Sequence, residues 1–249
     1  MLASAAPPEL VLTGERTLPG IVEENYWFRR HEAAYRAVAP FVPGAVVLEA
    51  GCGEGYGAAL LAGSASRVLG VDLDPGTIRH VADRYAGTVL AVRGDLQRLP
   101  VATGSVEAVA SLQTLEHLHD QAGFLAECAR VLRPAGTLAV STPNRLTFSP
   151  GRDGPLNPFH TRELSPAECD QLLAPAFHSM RRWGLRHGAR LRRWERRHGS
   201  LVDALHATAP PDWPAELRSV VASVTADDFA IDAVDRDDCL DLVTVARRR

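Results

Sequence analysis

The chain has 249 residues, 46% of them hydrophobic, which suits one α/β domain with a buried core and excludes a disordered polymer. Its formal charge of −3 argues against a general nucleic-acid binder, even though arginine supplies every one of the 27 Lys/Arg side chains. No apolar run approaches the roughly 20 residues that span a bilayer, and the first residues lack a basic-then-apolar signal pattern. Cys52, Cys128, Cys169 and Cys239 are too widely spaced for a metal knot, so a cytoplasmic protein with reduced, buried thiols is expected.

Residues 1–20, rich in proline and glycine, read as an extended arm. Glu23 to Val38 has the spacing of an amphipathic helix, ended by Pro40 and Pro43. It carries Tyr26-Trp27-Phe28-Arg29-Arg30-His31, which either packs its rings on the sheet edge or forms a lid turning Tyr26, Arg30 or His31 toward a ligand. Five strand-like runs follow, at 45–50, 67–72, 88–92, 106–111 and 137–141, with helical spacing over 55–62, 75–85 and 120–132. Such alternation predicts a mostly parallel, Rossmann-like sheet covered on both faces, with the ligand at the carboxyl ends of the strands. Further on, Glu168 to Leu173 is a predicted helix, capped by Ser165 with Pro166 in its first turn. Phe177 to Leu185 and Cys239 to Ala246 are predicted as the sixth and seventh strands, the last antiparallel. The stretch 186–236 exceeds any hairpin loop. Helical spacing at Arg190 to His206 and Ala215 to Val224 predicts a helical cap inserted before the last strand. One domain, 1–249, is therefore expected: arm and lid helix at 1–43, ligand-binding core at 44–145, cap at 186–236.

The core opens with Val46-Val47-Leu48-Glu49-Ala50-Gly51-Cys52-Gly53-Glu54-Gly55-Tyr56-Gly57, a strand, a glycine turn and a helix start. Glycine belongs where a turn needs positive φ or where backbone must approach a ligand closely. Asp72, 21 residues beyond Gly51, follows the second strand, where a carboxylate accepts from both hydroxyls of a ribose. Asp74 fits better as the N-cap of the helix opened by Pro75. Asp95 follows the third strand, placed to accept from an adenine amino group. Gln113, Glu116 and His117 follow the fourth.

A nicotinamide enzyme shares the glycine turn and the first acid but does not call for the rest. The whole set resembles the class I S-adenosylmethionine-dependent methyltransferases, over residues 45–145 and the final strand. The resemblance implies that Glu49, Gly51 and Gly53 line the methionine pocket and that Asp72 holds the ribose. It further implies that Leu73 flanks the adenine, Asp95 and Leu96 bind its rim, and Gln113 lies beneath the transferred methyl. Tyr26 and Arg30 on the lid are expected to contribute to the same cofactor site. A narrower resemblance rests on Thr13-Gly14-Glu15-Arg16-Thr17, Glu24 to His31, Ser141 to Arg145, Ser149 to Asp153 and Asn157 to Leu164. These segments are similar to actinobacterial sugar methyltransferases associated with methylglucose lipopolysaccharide, which implies a carbohydrate acceptor. Methylation of a lipid quinone or another small metabolite, or non-catalytic cofactor binding, are the alternatives.

A sugar hydroxyl is a poor nucleophile while protonated, so a base near the methyl is expected, and histidine suits neutral pH. His117 is expected as base or acceptor-binding group, with His160 positioning the sugar. Some relatives carry Glu-x-x-Glu-His here and bind a divalent metal. Gln113 replaces the first Glu, so no metal is expected. The eight arginines between Arg181 and Arg197 are expected to form a solvated face, partly paired with the acidic run from Asp227 to Asp241, and no nucleic acid is expected as partner.

Overall fold

The computed structural model describes Leu10, residues 16–233 and residues 236–249. Most of the expected arm, the Thr13–Glu15 motif and Asp235 of the acidic run lie outside the described residues. The first helix, Asn25–Val38 (α1), leads into alternating strands and helices. These are Val46–Ala50 (β1), Tyr56–Ala62 (α2), Arg67–Asp72 (β2), Pro75–Arg84 (α3), Val89–Arg93 (β3), Val106–Leu112 (β4), Gln121–Val131 (α4) and Leu132–Pro143 (β5). Successive residues of β1 point to opposite faces, Val47 into the layer with α1 and α2, and Leu48 into the layer with α4, which is how a parallel sheet buries both faces. Asp74 caps α3 through the Gly76 amide, with Pro75 in the first turn, as expected.

A one-turn helix, Arg145–Phe148 (α5), and Pro166–Leu173 (α6) follow, and then Phe177–His187 (β6). Ser165 and Glu168 close a capping box on α6. The predicted helical stretch 190–206 is two helices, Ala189–His198 (α7) and Leu201–Ala207 (α8). Gly199 takes a φ of 87° between them, and the Ser200 side chain caps α8 through the Asp203 amide. Ala215–Ser223 (α9) follows, then Phe229–Asp232 (β7) and Asp241–Arg248 (β8).

Among the described residues the sheet has eight strands, one more than expected, in the order β3-β2-β1-β4-β5-β8-β6-β7. Neighbours from β3 to β5 pair in parallel, whereas β8 is antiparallel to both β5 and β6. The additional strand, β7, lies inside the stretch 186–236 expected as a helical cap, beyond its two predicted helical segments. Because β6 runs to His187, its outer edge would be left unpaired, and Phe229–Asp232 covers it over Gly184–His187.

Nor is α1 a lid. Tyr26, Ala33, Ala34, Tyr35 and Val38 are buried in the sheet-side core, so the helix is packed as a wall of the domain. It is pinned to β8 by the buried Arg30–Asp241 pair, with Nε to Oδ2 at 2.7 Å and Nη2 to Oδ1 at 2.5 Å. The arginines of β6 and α7 pair in part with acids: Arg182 with Asp170, Arg186 with Asp232, Arg190 with Asp228. No helix among the described residues is long and apolar enough to cross a membrane.

Candidate active site

The glycine turn after β1 is dictated by backbone needs. Gly51, Gly53 and Gly55 take φ of 83°, 51° and 98°, where a side chain is strained. Gly57 answers a different need: a Cβ there would run into the Tyr35 ring and Glu49 Oε1, which hold α2 close to α1. The turn is anchored across the sheet edge. Val71 O accepts from the Gly51 and Cys52 amides at 2.9 and 3.0 Å, and Asp72 accepts from the Gly53 and Asp74 amides, both at 3.0 Å.

In front of this turn lies a cleft of about 590 Å³. Gly51, Gly53, Asp72, Leu73, Asp95, Leu96 and Gln113 all line it. Three expected residues do not. Glu49 is fully buried behind the turn, where its carboxylate receives the Tyr35 hydroxyl, so it shapes the turn rather than lining the cleft. Burial pushes its carboxyl up to about 8, against the pull of the Tyr35 hydroxyl and the Ala58 amide. Tyr26 is also fully buried and points toward β6, with its hydroxyl 2.7 Å from His187 Nε2. Arg30 is committed to Asp241 and faces a different cavity.

From the same helix, His31, one of the three residues expected to face the ligand, reaches the cleft, and Tyr35 joins it. They are one helical turn apart and out of phase with Tyr26 and Arg30, a periodicity signal present in the sequence. His31 Nδ1 lies 2.8 Å from the Tyr56 hydroxyl, and burial lowers its ring to about 4, so it stays neutral near pH 7. Arg16, bonded to Asp74 at 2.9 Å, and Thr17 complete the rim.

A second cavity of about 250 Å³ adjoins the first. Arg16, Thr17, His31, Gln113 and His117 line both, so these residues mark the junction. Gln113 has a φ of 55°, a strained backbone for a residue with a side chain, held by its amide on Ser141 O and its Nε2 on Ser141 Oγ. The far walls carry Glu24 at the N-cap of α1, Trp27 and Arg30 of that helix, Phe148 of α5, and Asn157, His160 and His206. Arg30 Nη1 is buried without a hydrogen-bond partner among the described residues.

His117 and His160 meet edge to face, with ring centroids 4.9 Å apart. The Phe159 carbonyl, 3.0 Å from His117 Nδ1, can only accept, so that nitrogen carries the proton and the basic lone pair is on Nε2. The Glu163 carboxylate fixes His160 likewise, with Oε1 2.7 Å from Nδ1. Glu116 lies beside them, almost wholly buried, accepting from Thr142 Oγ1 at 2.9 Å. Burial raises its carboxyl to about 7. Neither Glu163 nor the meeting of His117 with His160 is visible in local sequence, since the two segments are brought together only by the fold.

Residues 48–140 match the profile of a methyltransferase domain. A probable S-adenosylmethionine-dependent methyltransferase of Mycolicibacterium smegmatis is 52% identical, over 98% of both chains. One of Mycobacterium tuberculosis is 51% identical, over 99% of this chain and 92% of the relative. The chain belongs to the S-adenosylmethionine-dependent methyltransferases. Among solved structures, a methyltransferase of Thermotoga maritima, described as a possible histamine N-methyltransferase, shares the fold with a TM-score of 0.63 at 16% identity, covering 90% of this chain and 94% of that one.

The cleft of this methyltransferase fits S-adenosylmethionine. The Asp72 carboxylate borders it with acceptor capacity to spare for a diol, and Leu73, 62% exposed, offers an apolar face beside it. A Cβ on Gly53 would enter open space rather than protein.

Proposed function

We propose that this methyltransferase O-methylates a carbohydrate hydroxyl, on an oligo- or polysaccharide of the methylglucose lipopolysaccharide kind. The observation that carries the reading is the second cavity, which opens onto the cofactor cleft at Gln113 and His117. Trp27 and Phe148 offer it flat apolar faces, while Glu24, Asn157 and His160 offer polar groups, a mixture suited to the two-sided surface of a sugar ring. The resemblance of the N-terminal and post-β5 segments to sugar methyltransferases supports it, because those segments build the walls of this cavity.

S-adenosylmethionine supplies an electrophilic methyl on a sulfonium. Asp72 would hold its ribose and Asp95 and Leu96 its adenine, with Gln113 on the methyl side, and Arg16 and Thr17 stand at the rim of the cleft. Alignment of acceptor oxygen, carbon and sulfur then provides most of the acceleration. His117 meets the acceptor hydroxyl with its basic Nε2, and His160, braced by Glu163, positions the sugar. Arg30 serves the acceptor side, where its unpartnered Nη1 is a buried donor.

The test is transfer of labelled methyl to a panel of gluco- and manno-oligosaccharides, with linkage analysis of the product. Labelled sugar is the expected result, lost in His117→Ala. Label found only on a quinol or another small metabolite, with none on any sugar, overturns the acceptor and leaves the cofactor in place.

A further inference from the structure

We propose that Glu116, His117 and His160 form a binding site for a divalent first-row transition ion at the junction of the two cavities. The absence of a metal expected from the sequence rested on Gln113 standing where a ligand carboxylate would be needed. The fold supplies a third donor from elsewhere: His160, from the loop between α5 and α6, comes to stand beside the pair that follows β4. One donor atom from each of the three lies within 4.8 Å of the others, close enough to converge on one ion with small side-chain rotations.

The surroundings are those a metal site needs. His117 is held at Nδ1 by the Phe159 carbonyl and His160 at Nδ1 by the buried Glu163 carboxylate, which aims each Nε2 as a ligand. Glu116 is held by Thr142, is 1% exposed, and pairs with no arginine among the described residues. A carboxyl buried in this way either keeps its proton or pairs with a cation, and an ion on His117 and His160 would supply the second. The Asn157 amide, 3.1 Å from His160 Nε2, occupies that lone pair and moves aside when an ion takes it. One carboxylate and two imidazoles favour manganese, iron or zinc over magnesium and leave coordination positions open toward the acceptor cavity.

The inference rests on the junction being the transfer site; with the ion bound, the Nε2 atoms of His117 and His160 are its ligands, and the ion takes over from the His117 lone pair the activation of the acceptor hydroxyl. An ion there binds the acceptor oxygen and lowers the pKa of its hydroxyl. The proton leaves to water, the new carbon–oxygen bond forms, and the carbon–sulfur bond breaks with its electron pair going to sulfur.

The test uses manganese(II) alone, titrated into the full-length protein without methyl donor and followed by loss of the free-ion paramagnetic resonance signal. One ion per chain is expected, with binding weakened at least tenfold in both Glu116→Gln and His160→Ala, each checked by circular dichroism for its fold. No binding by the unmodified chain, or binding equally strong in both variants, overturns the site. This readout is independent of the acceptor. Methyl transfer to sugar that persists in metal-stripped protein overturns the ion while sustaining the carbohydrate reading, and ion binding without sugar methylation does the reverse.

Discussion

The two halves of the active site are built by different means. The cofactor wall relies mainly on short-range devices: most of its residues follow the end of their own strand, with His31 and Tyr35 of α1 and Arg16 and Thr17 at its rim, and the turn is held by amides on Val71 and Asp72. The wall of the second cavity, the proposed acceptor side, is assembled from α1, the segment after β4, the loop around His160 and α8, held by long-range contacts such as Arg30 with Asp241 and His117 with Phe159. A wall of the first kind keeps its geometry as long as its sheet edge exists. A wall of the second kind exists only when distant elements pack, so it can change acceptor without disturbing the cofactor.

Four substitutions sharpen that contrast, from the largest effect down. Asp241→Ala strands Arg30 in the core, and denaturant unfolding should show a loss of about 3–5 kcal/mol, much of it recovered when Arg30→Met is combined with Asp241→Leu. A loss under about 1 kcal/mol would mean α1 is not pinned there. Asp72→Ala removes charged hydrogen bonds worth about 1.5–3 kcal/mol each, so calorimetry should show S-adenosylhomocysteine binding weakened by about 100-fold or more. Gly57→Ala forces Tyr35 and Glu49 apart, at about 1–3 kcal/mol of stability by overpacking. An unchanged melting curve would deny the close approach of α1 and α2.

The fourth effect is a pH dependence. The Glu49 carboxyl keeps its proton to about 8 when folded, against 4.5 when unfolded, so folding takes up a proton between those values. Its contribution is therefore complete below 4.5 and is lost as the pH rises through 8, with a slope of at most about 1.4 kcal/mol per pH unit. Glu49→Gln should flatten that slope in cofactor-free protein. An identical stability–pH curve in the variant would show that burial does not hold the proton.

The same contrast explains what the sequence could disclose. Asp72, Asp95 and Gln113 were legible because a parallel sheet delivers whatever follows a strand to one edge, and strand ends can be read from local pattern. Tyr26 and Arg30 were misassigned by helical phase: they face β6 and β8, whereas His31 and Tyr35 look into the cleft. Glu49 sits too deep in β1 to reach the cleft, a matter of burial that the motif does not specify. The eighth strand was hidden because Phe229–Asp232 is only four residues long and pairs with an edge whose length is set by β6. Glu163 was unreadable beforehand because its importance comes from bracing His160 beside His117, a proximity made only by the tertiary fold.

The claim that cofactor and acceptor have separate walls is tested most directly by methyl-transfer kinetics of Trp27→Ala, with each substrate varied in turn. Trp27 lines the second cavity and not the first. The account predicts a KM for the sugar raised about tenfold or more, the loss of roughly 1.4 kcal/mol of contact, with the KM for S-adenosylmethionine within twofold of the unmodified enzyme. A raised KM for S-adenosylmethionine with an unchanged one for the sugar would contradict it.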